Sequence, residues 1–241
     1  MNLEGKRVLV VGSGKSGVAA AELLKKKGIT FVLFDGNKDL DITALIEKNP
    51  VFAGAEILLG ELAPEDMARI DLVVLSPGVP TDLPMVNELR NRQIPIWGEI
   101  ELAYHFAKGR IIAITGTNGK TTTTSLIYHI FKSAGLNVGL AGNIGKSLAL
   151  QVAEGKHDYY VIELSSFQLD NMYEFRANIA VLMNITPDHL DRYDHCMQNY
   201  IDAKFRITQN QTQDDAFVFW NDDPIIKREL EKHGLKAHLY P

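Results

Sequence analysis

The sequence predicts an α/β protein of two consecutive doubly wound, mostly parallel-sheet domains, a Rossmann-like unit followed by a P-loop-type unit. Three observations carry this expectation. Short apolar runs alternate with segments of helical period, which is the pattern of βαβ units. The runs are rich in Val, Ile, Leu and Phe, as strands covered on both faces require. Two glycine-bearing turns, "GSGKSG" and "TGTNGKTT", each follow such a run and open a helix.

In the first domain, strands are expected at Arg7–Val11, Phe31–Asp35, Glu56–Leu59, Leu72–Ser76 and Ile94–Trp97. Gly17–Lys27 carries Val18, Ala21 and Leu24 at helical spacing and stops at Gly28, a residue suited to ending a helix. "GEIELAYHFAKG", Gly98–Gly109, reads as a connecting helix, which places the domains at 1–97 and 110–241 with a linker at 98–109. The second series has strands at Ile111–Thr115, Val138–Ala141, Tyr159–Glu163, Ala180–Asn184 and Ala216–Trp220. Its helices are expected at Lys120–Ala134, Lys146–Glu154, His195–Gln209 and Pro224–His233, the first with Leu126, Ile127, Ile130 and Phe131 on one face. "KAHLYP", Lys236–Pro241, begins like a further strand, so the chain is expected to be a fragment.

Composition narrows the class of partner. Hydrophobic residues make up 46% and charged residues 23% of the 241, the balance of a soluble globular protein. A net charge of -5 excludes a general nucleic-acid binder, because no basic excess exists to displace counterions from a phosphate backbone. Anionic ligands remain open, through backbone N–H groups and a few lysines. The single cysteine, Cys196, excludes an internal disulfide framework and has no recognisable activating partner. The N-terminal apolar run is too short for a signal peptide or a membrane span. A cytoplasmic protein with no membrane association is expected.

The first turn, Gly12-x-Gly14-x-x-Gly17, follows a strand, opens a helix, and is succeeded by Asp35 at the end of the next strand. That is the fingerprint of a diphosphate site: a tight turn, close backbone approach, and a helix N-terminus favouring an anion. The alternative is a glycine turn needed only for packing. "SPGVP", Ser76–Pro80, lies where open sheets bind ligands, and reads equally as a Pro-Gly turn.

The second turn departs from G-x-x-x-x-G-K-[ST], since Ile114 stands where the first glycine belongs. Gly116 and Gly119 still permit inward-turned N–H groups, Lys120 is placed to reach β- and γ-phosphates, and Thr121 to bind Mg²⁺. The loop is therefore expected to bind a nucleoside triphosphate. Glu163 ends a buried strand as a candidate Mg²⁺ partner, or is simply the first residue outside the sheet. Asn184, Asp188, His189, Asp191 and Tyr193 cluster after another strand, with His189 beside carboxylates. Asn143 is a phosphate contact or part of an Asn-Gly turn. Lys204 shares a helix face with Tyr200 and, from spacing alone, is an ordinary surface lysine.

Together "GSGKSG", "SPGVP", "GEIEL", "TGTNGKTT", "AGNIGKS", "ELSSFQL", "NITPDHLDRY" and "AKFRI" resemble the Mur ligase family, over essentially the whole chain and in order. They are similar to the members that add D-glutamate to UDP-N-acetylmuramoyl-L-alanine, a cytoplasmic step of peptidoglycan synthesis. The resemblance implies ATP-dependent phosphorylation of the alanine carboxylate, then attack by the D-glutamate amine on the acyl phosphate. It places UDP at Gly14, Lys15, Ser16, Asp35, Gly36 and Gly78, and ATP at Gly116, Thr117, Asn118, Gly119, Lys120, Thr121 and Thr122. Asn143 and Ser165 match substrate contacts. Two Mg²⁺ ions are implied, one at Thr121 and Glu163 and one at His189 and Lys204, where Lys204 matches a carbamylated lysine. Lys120, His189 and Lys204 then carry the catalysis; His189 is also open as a substrate contact, since Mg²⁺ prefers oxygen. A monomer is expected. The family's C-terminal domain has no counterpart here, so the chain alone is expected to bind the UDP substrate with little ligase activity. The competing readings are a sister ligase adding another amino acid, an NAD-dependent oxidoreductase, and a non-catalytic nucleotide-binding regulator.

Overall fold

The computed structural model describes residues 2–155 and 157–241. Met1, the first residue of the expected N-terminal domain, lies outside them. The chain divides into two compact units, one running to Phe106 and taking in Ser147–Glu154, the other formed by Ala107–Lys146 and Gly155–Pro241.

The first unit is a five-stranded parallel sheet of β1 (Arg7–Val11), β2 (Thr30–Asp35), β3 (Glu56–Leu59), β4 (Leu72–Leu75) and β5 (Ile96–Gly98), in the order β3-β2-β1-β4-β5. Its helices are α1 (Lys15–Lys26), α2 (Ile42–Lys48), α3 (Pro64–Met67), α4 (Pro84–Asn91) and α5 (Glu99–Tyr104). Val11, Phe34, Val73 and Leu75 pack with Met67, Val86 and Leu89 in one buried cluster. Each such side chain contributes roughly 1.5–3 kcal/mol by leaving water. Strand β5 starts at Ile96 rather than Ile94, because Pro95 has no N–H to donate and only its carbonyl joins the ladder, accepting from Val73 N at 2.9 Å.

The second sheet has six parallel strands in the order β11-β10-β9-β6-β8-β7. They are β6 (Arg110–Thr115), β7 (Val138–Gly142), β8 (Tyr159–Glu163), β9 (Ile179–Leu182), β10 (Ala216–Phe219) and β11 (His238–Tyr240), the last formed by "KAHLYP" as expected. The helices in this part of the chain are α6 (Lys120–Ser133), α7 (Leu148–Glu154), α8 (Ser166–Leu169), α9 (Met197–Phe205) and α10 (Pro224–Glu229).

Several expected elements differ. The connecting helix expected over 98–109 is the shorter α5, which buries Glu99 to Ala103 within the first unit. Helix α7 also belongs to that unit, where it packs on α1 and α5. The helix expected from His195 starts at Met197, because Asp194 (φ 53°) and His195 (φ 54°) are left-handed and cannot be helical. The expected apolar face of α6 is split. Ile127 and Phe131, partly buried, pack against the buried cluster of Ile112, Ile114 and Val161, while Leu126 and Ile130 are more than half exposed. The short helices α2, α3, α4 and α8 have no counterpart in the sequence-based expectation. No helix among the described residues is long and apolar enough to cross a membrane.

Candidate active site

In the first unit, the glycine turn lies at the carboxyl end of β1, which has β2 on one side and β4 on the other, where the chain direction of winding reverses. Gly12 has φ 97°, which favours glycine. A Cβ on Gly17 would lie 1.8 Å from Gly12 O, so glycine there is what lets α1 approach the turn. Gly14, by contrast, has open space where a Cβ would go and caps α1 at its exposed N-terminus. Asp35 closes the turn: its Oδ2 accepts from Ser13 N at 2.9 Å and Ser13 Oγ at 2.6 Å, and its Oδ1 accepts from Asn37 N at 3.0 Å. Burial is the largest influence on this carboxyl and pushes its pKa up, but these hydrogen bonds outweigh it and hold the group below its usual value. Lys15, Gly36 and Gly78 are exposed, and Ser16 half-buried, at the same strand ends. Ser76 Oγ is a buried hydroxyl with no hydrogen-bond partner among the described residues, 3.0 Å from where a Gly12 Cβ would sit.

In the second unit, the loop after β6 turns on Gly116 (φ 149°) and Gly119 (φ 82°) and enters α6 at Lys120. A Cβ on Gly116 would meet Met183 Cβ at 2.8 Å. Two ammonium groups converge on one carbonyl here. Gly116 O accepts from Lys120 Nζ at 2.9 Å and from Lys204 Nζ at 2.8 Å, and Lys120 also donates to Thr117 O at 2.9 Å. Lys204, on α9, is 1% exposed and lies 4.6 Å from the centre of the Tyr200 ring. Burial, then the positive charge of Lys120, lowers its pKa to about 7, against the pull of Asp188. Lys204 is thus a buried group, not the surface lysine its spacing alone indicated.

Tyr200, four residues earlier, shares its phenol with Thr117 Oγ1 at 3.2 Å. The strand exit after β9 grips the loop: Thr117 N donates to Asn184 O at 3.0 Å, Thr117 Oγ1 to Thr186 O at 3.1 Å, and Thr186 N to Thr117 Oγ1 at 3.0 Å. Thr121 and Thr122 stand exposed at the helix entrance.

Glu163 ends β8 and is 1% exposed. Its Oε1 accepts from Asn143 Nδ2 at 2.9 Å, while its Oε2 is buried without a partner among the described residues. An unpartnered carboxylate oxygen in a buried position is costly unless a cation completes it, so the donor chemistry fits a hard divalent ion. Ser165 is committed to a capping box, its Oγ donating to Gln168 Oε1 at 3.1 Å and accepting from Gln168 N at 3.3 Å. His189 is left-handed (φ 50°), with a side chain 58% exposed. It contacts Asp188 at 3.5 Å and the Phe167 ring at 5.3 Å.

The structure thus joins Gly116, Thr117, Lys120, Tyr200 and Lys204 directly, and pairs Asn143 with Glu163. His189 makes its contacts with Asp188 and Phe167 instead. Sequence reading missed Tyr200, although its spacing to Lys204 was the available signal.

Two parallel sheets, each with a glycine turn at its carboxyl edge, define the class. Residues 6–98 match the Mur ligase MurD-like N-terminal domain and residues 114–241 match the Mur ligase middle domain, so the chain belongs to the Mur ligase family. Within the family its likeness is narrower. It is 65% identical over 240 residues to the UDP-N-acetylmuramoylalanine–D-glutamate ligase of Bacteroides fragilis, covering 98% of this chain and 52% of that protein. The same-named ligase of Lachnoclostridium phytofermentans is 46% identical over 228 residues, covering 94% and 50%. The chain therefore spans about half the length of these relatives. Among solved structures, the UDP-N-acetylmuramate:L-alanyl-gamma-D-glutamyl-meso-diaminopimelate ligase from Neisseria meningitides aligns with a TM-score of 0.64 at 19% identity, covering 97% of this chain and 76% of that one. At that identity the likeness is one of fold.

Proposed function

We propose that this chain supplies the substrate- and ATP-binding parts of a cytoplasmic ligase that joins D-glutamate to UDP-N-acetylmuramoyl-L-alanine through an acyl phosphate, in peptidoglycan precursor synthesis. The observation that carries this reading is the loop 116–122, where backbone turned by two glycines meets the ammonium groups of Lys120 and Lys204. A carboxylate attacking a γ-phosphate brings two anions together, so neutralising charge governs the barrier. Lys120, pinned at the loop, is placed to share its charge with the phosphates. The glycine turn of the first unit takes the UDP diphosphate at Gly14, with Lys15, Ser16, Asp35 and Gly36 around the uridine end and Gly78 nearby.

Thr121 and Glu163 would hold one Mg²⁺, and His189 with Lys204 a second. Bound Mg²⁺ supplies positive charge to the phosphate oxygens. Glu163 offers its unpartnered Oε2 for the first. For the second, Mg²⁺ would require an oxygen donor from Lys204, and burial beside Lys120 favours the neutral amine that adds CO2 to give a carbamate and a proton. Asn143 orients Glu163 through its amide and, with Ser165, contacts the substrate in this reading. The protein is read as a monomer with no nucleic-acid or membrane partner.

A thermal-shift panel of UDP-N-acetylmuramoyl-L-alanine, UDP-N-acetylmuramate, NADH and Mg-ATP tests the proposal. Ligand at a hundred times its Kd stabilises by about 2.7 kcal/mol, a shift of several degrees. The UDP-linked alanine and Mg-ATP are expected to stabilise. Stabilisation by NADH and by neither UDP sugar would overturn the assignment.

A further inference from the structure

The reading above leaves Asn184 without a role, yet its side chain makes an unusual contact with the phosphate loop. Asn118 N donates to Asn184 Oδ1 at 2.9 Å, and Asn184 Nδ2 donates to Asn118 O at 3.1 Å. The carboxamide thus pairs with both backbone groups of one residue, as a peptide group does in a ladder. Its own backbone carbonyl meanwhile accepts from Thr117 N at 3.0 Å. Thr117 and Asn118 are the two residues between the loop's left-handed glycines, Gly116 and Gly119, and so the stretch with most freedom to lose. Asn184 is positioned for this because β9 ends at Leu182, Met183 N still donates to Thr115 O at 3.0 Å, and the chain then turns across the loop.

We propose that Asn184 is the positioning residue of the phosphate loop, holding Asn118 through a two-way amide pair so that the nucleotide-accepting form exists before nucleotide arrives. The proposal rests on reading the loop as a nucleotide site. A ligand binding a form that is populated only in part loses apparent affinity by that fraction. If losing the clamp leaves the competent form near a tenth of the population, affinity falls about tenfold. Aspartate in this place keeps the acceptor for Asn118 N, loses the donor for Asn118 O, and sets a negative charge beside the phosphates.

The test uses the chain with its Asn184→Ala and Asn184→Asp variants. It reads binding of a non-hydrolysable ATP analogue with Mg²⁺ by calorimetry, exchange of the Asn118 amide by NMR without nucleotide, and the thermal midpoint. Asn184→Ala is expected to bind the analogue about tenfold more weakly and to exchange Asn118 faster, with the midpoint nearly unmoved. Asn184→Asp is expected to keep Asn118 protected and yet bind more weakly still. That reversal between the two readouts is one that a merely structural role does not produce. Wild-type affinity in Asn184→Ala, or affinity falling only in step with the midpoint, overturns the proposal, as does failure of both variants to fold. Should the wild-type chain bind no analogue, the nucleotide reading fails on its own. The exchange readout then still decides the clamp: an Asn118 amide equally protected in Asn184→Ala refutes it.

Discussion

Glu99 offers the most direct electrostatic test of the first unit. It opens α5, is 5% exposed, and its Oε1 accepts from Ala149 N at 2.5 Å in the first turn of α7. Burial raises its pKa from 4.5 to about 7, and the hydrogen bond from Ala149 opposes this without offsetting it. The folded chain therefore keeps this proton to about pH 7, while the unfolded chain releases it near 4.5. The stability tied to the protonated group is complete below 4.5 and is lost as pH rises through 7. The full shift, about 7 minus 4.5, corresponds to roughly 3 kcal/mol at 1.36 kcal/mol per unit, of which about 2.5 kcal/mol falls between pH 5 and 8. Glu99→Gln keeps an oxygen for Ala149 N and removes the titration. Trp97, 4% exposed on β5, reports unfolding of this unit once Trp220, the other tryptophan, is replaced by Phe. Urea unfolding at pH 5, 6, 7 and 8 is expected to show the wild type losing stability relative to Glu99→Gln, a difference of about 1 M or more in midpoint across the series. Neighbouring Glu101 and His105 are common to both chains and cancel. A difference between the two proteins that stays flat from pH 5 to 8 would show that Glu99 does not hold its proton on folding.

Two further substitutions separate packing from binding. Gly17→Ala forces a methyl into Gly12 O and is expected to destabilise by about 3 kcal/mol or more, whereas Gly14→Ala meets open space and is expected to cost under about 1 kcal/mol while weakening the UDP ligand. Equal stability of the two variants in urea would show that the turn does not pack as described. Asp223 is buried, its Oδ1 accepting from Ile225 N and Ile226 N at 2.9 and 3.0 Å and its Oδ2 from Ile185 N at 2.9 Å. Asp223→Ala is expected to destabilise the second unit by roughly 2–4 kcal/mol, with Asp223→Asn recovering part; unchanged denaturation of the alanine variant would contradict the structure.

What the sequence made legible follows from locality. Parallel strands are continuous apolar runs, and a glycine turn between strand and helix is written within a dozen residues, so both sheets and both loops were readable. The boundaries blurred where a single backbone event intervenes, as at Pro95, Asp194 and His195. Harder still were properties set by distant residues. Nothing near Lys204 in the chain says that it is buried against Gly116, 88 residues earlier, and only the resemblance indicated a role. The splitting of the α6 face has the same origin: helical period places Leu126 and Ile130 beside Ile127 and Phe131, but only the sheet decides which pair it covers. Asp223 caps α10 with one oxygen, yet its second oxygen reaches Ile185, a contact 38 residues away that no local pattern encodes.

The insertion of α7 into the first unit bears on how the molecule is made. That unit draws on residues as late as Glu154, after the chain has already laid down β6, α6 and β7. During synthesis, the ribosome must release nearly two thirds of the 241 residues before Glu99 meets Ala149 and the face shared by α1 and α5 is covered. Until then those apolar helices wait uncovered, a state prone to wrong association. A cut after Phe106 would reproduce that unfinished state permanently, so an N-terminal unit expressed alone is expected to require the octapeptide Ser147–Glu154 grafted back on.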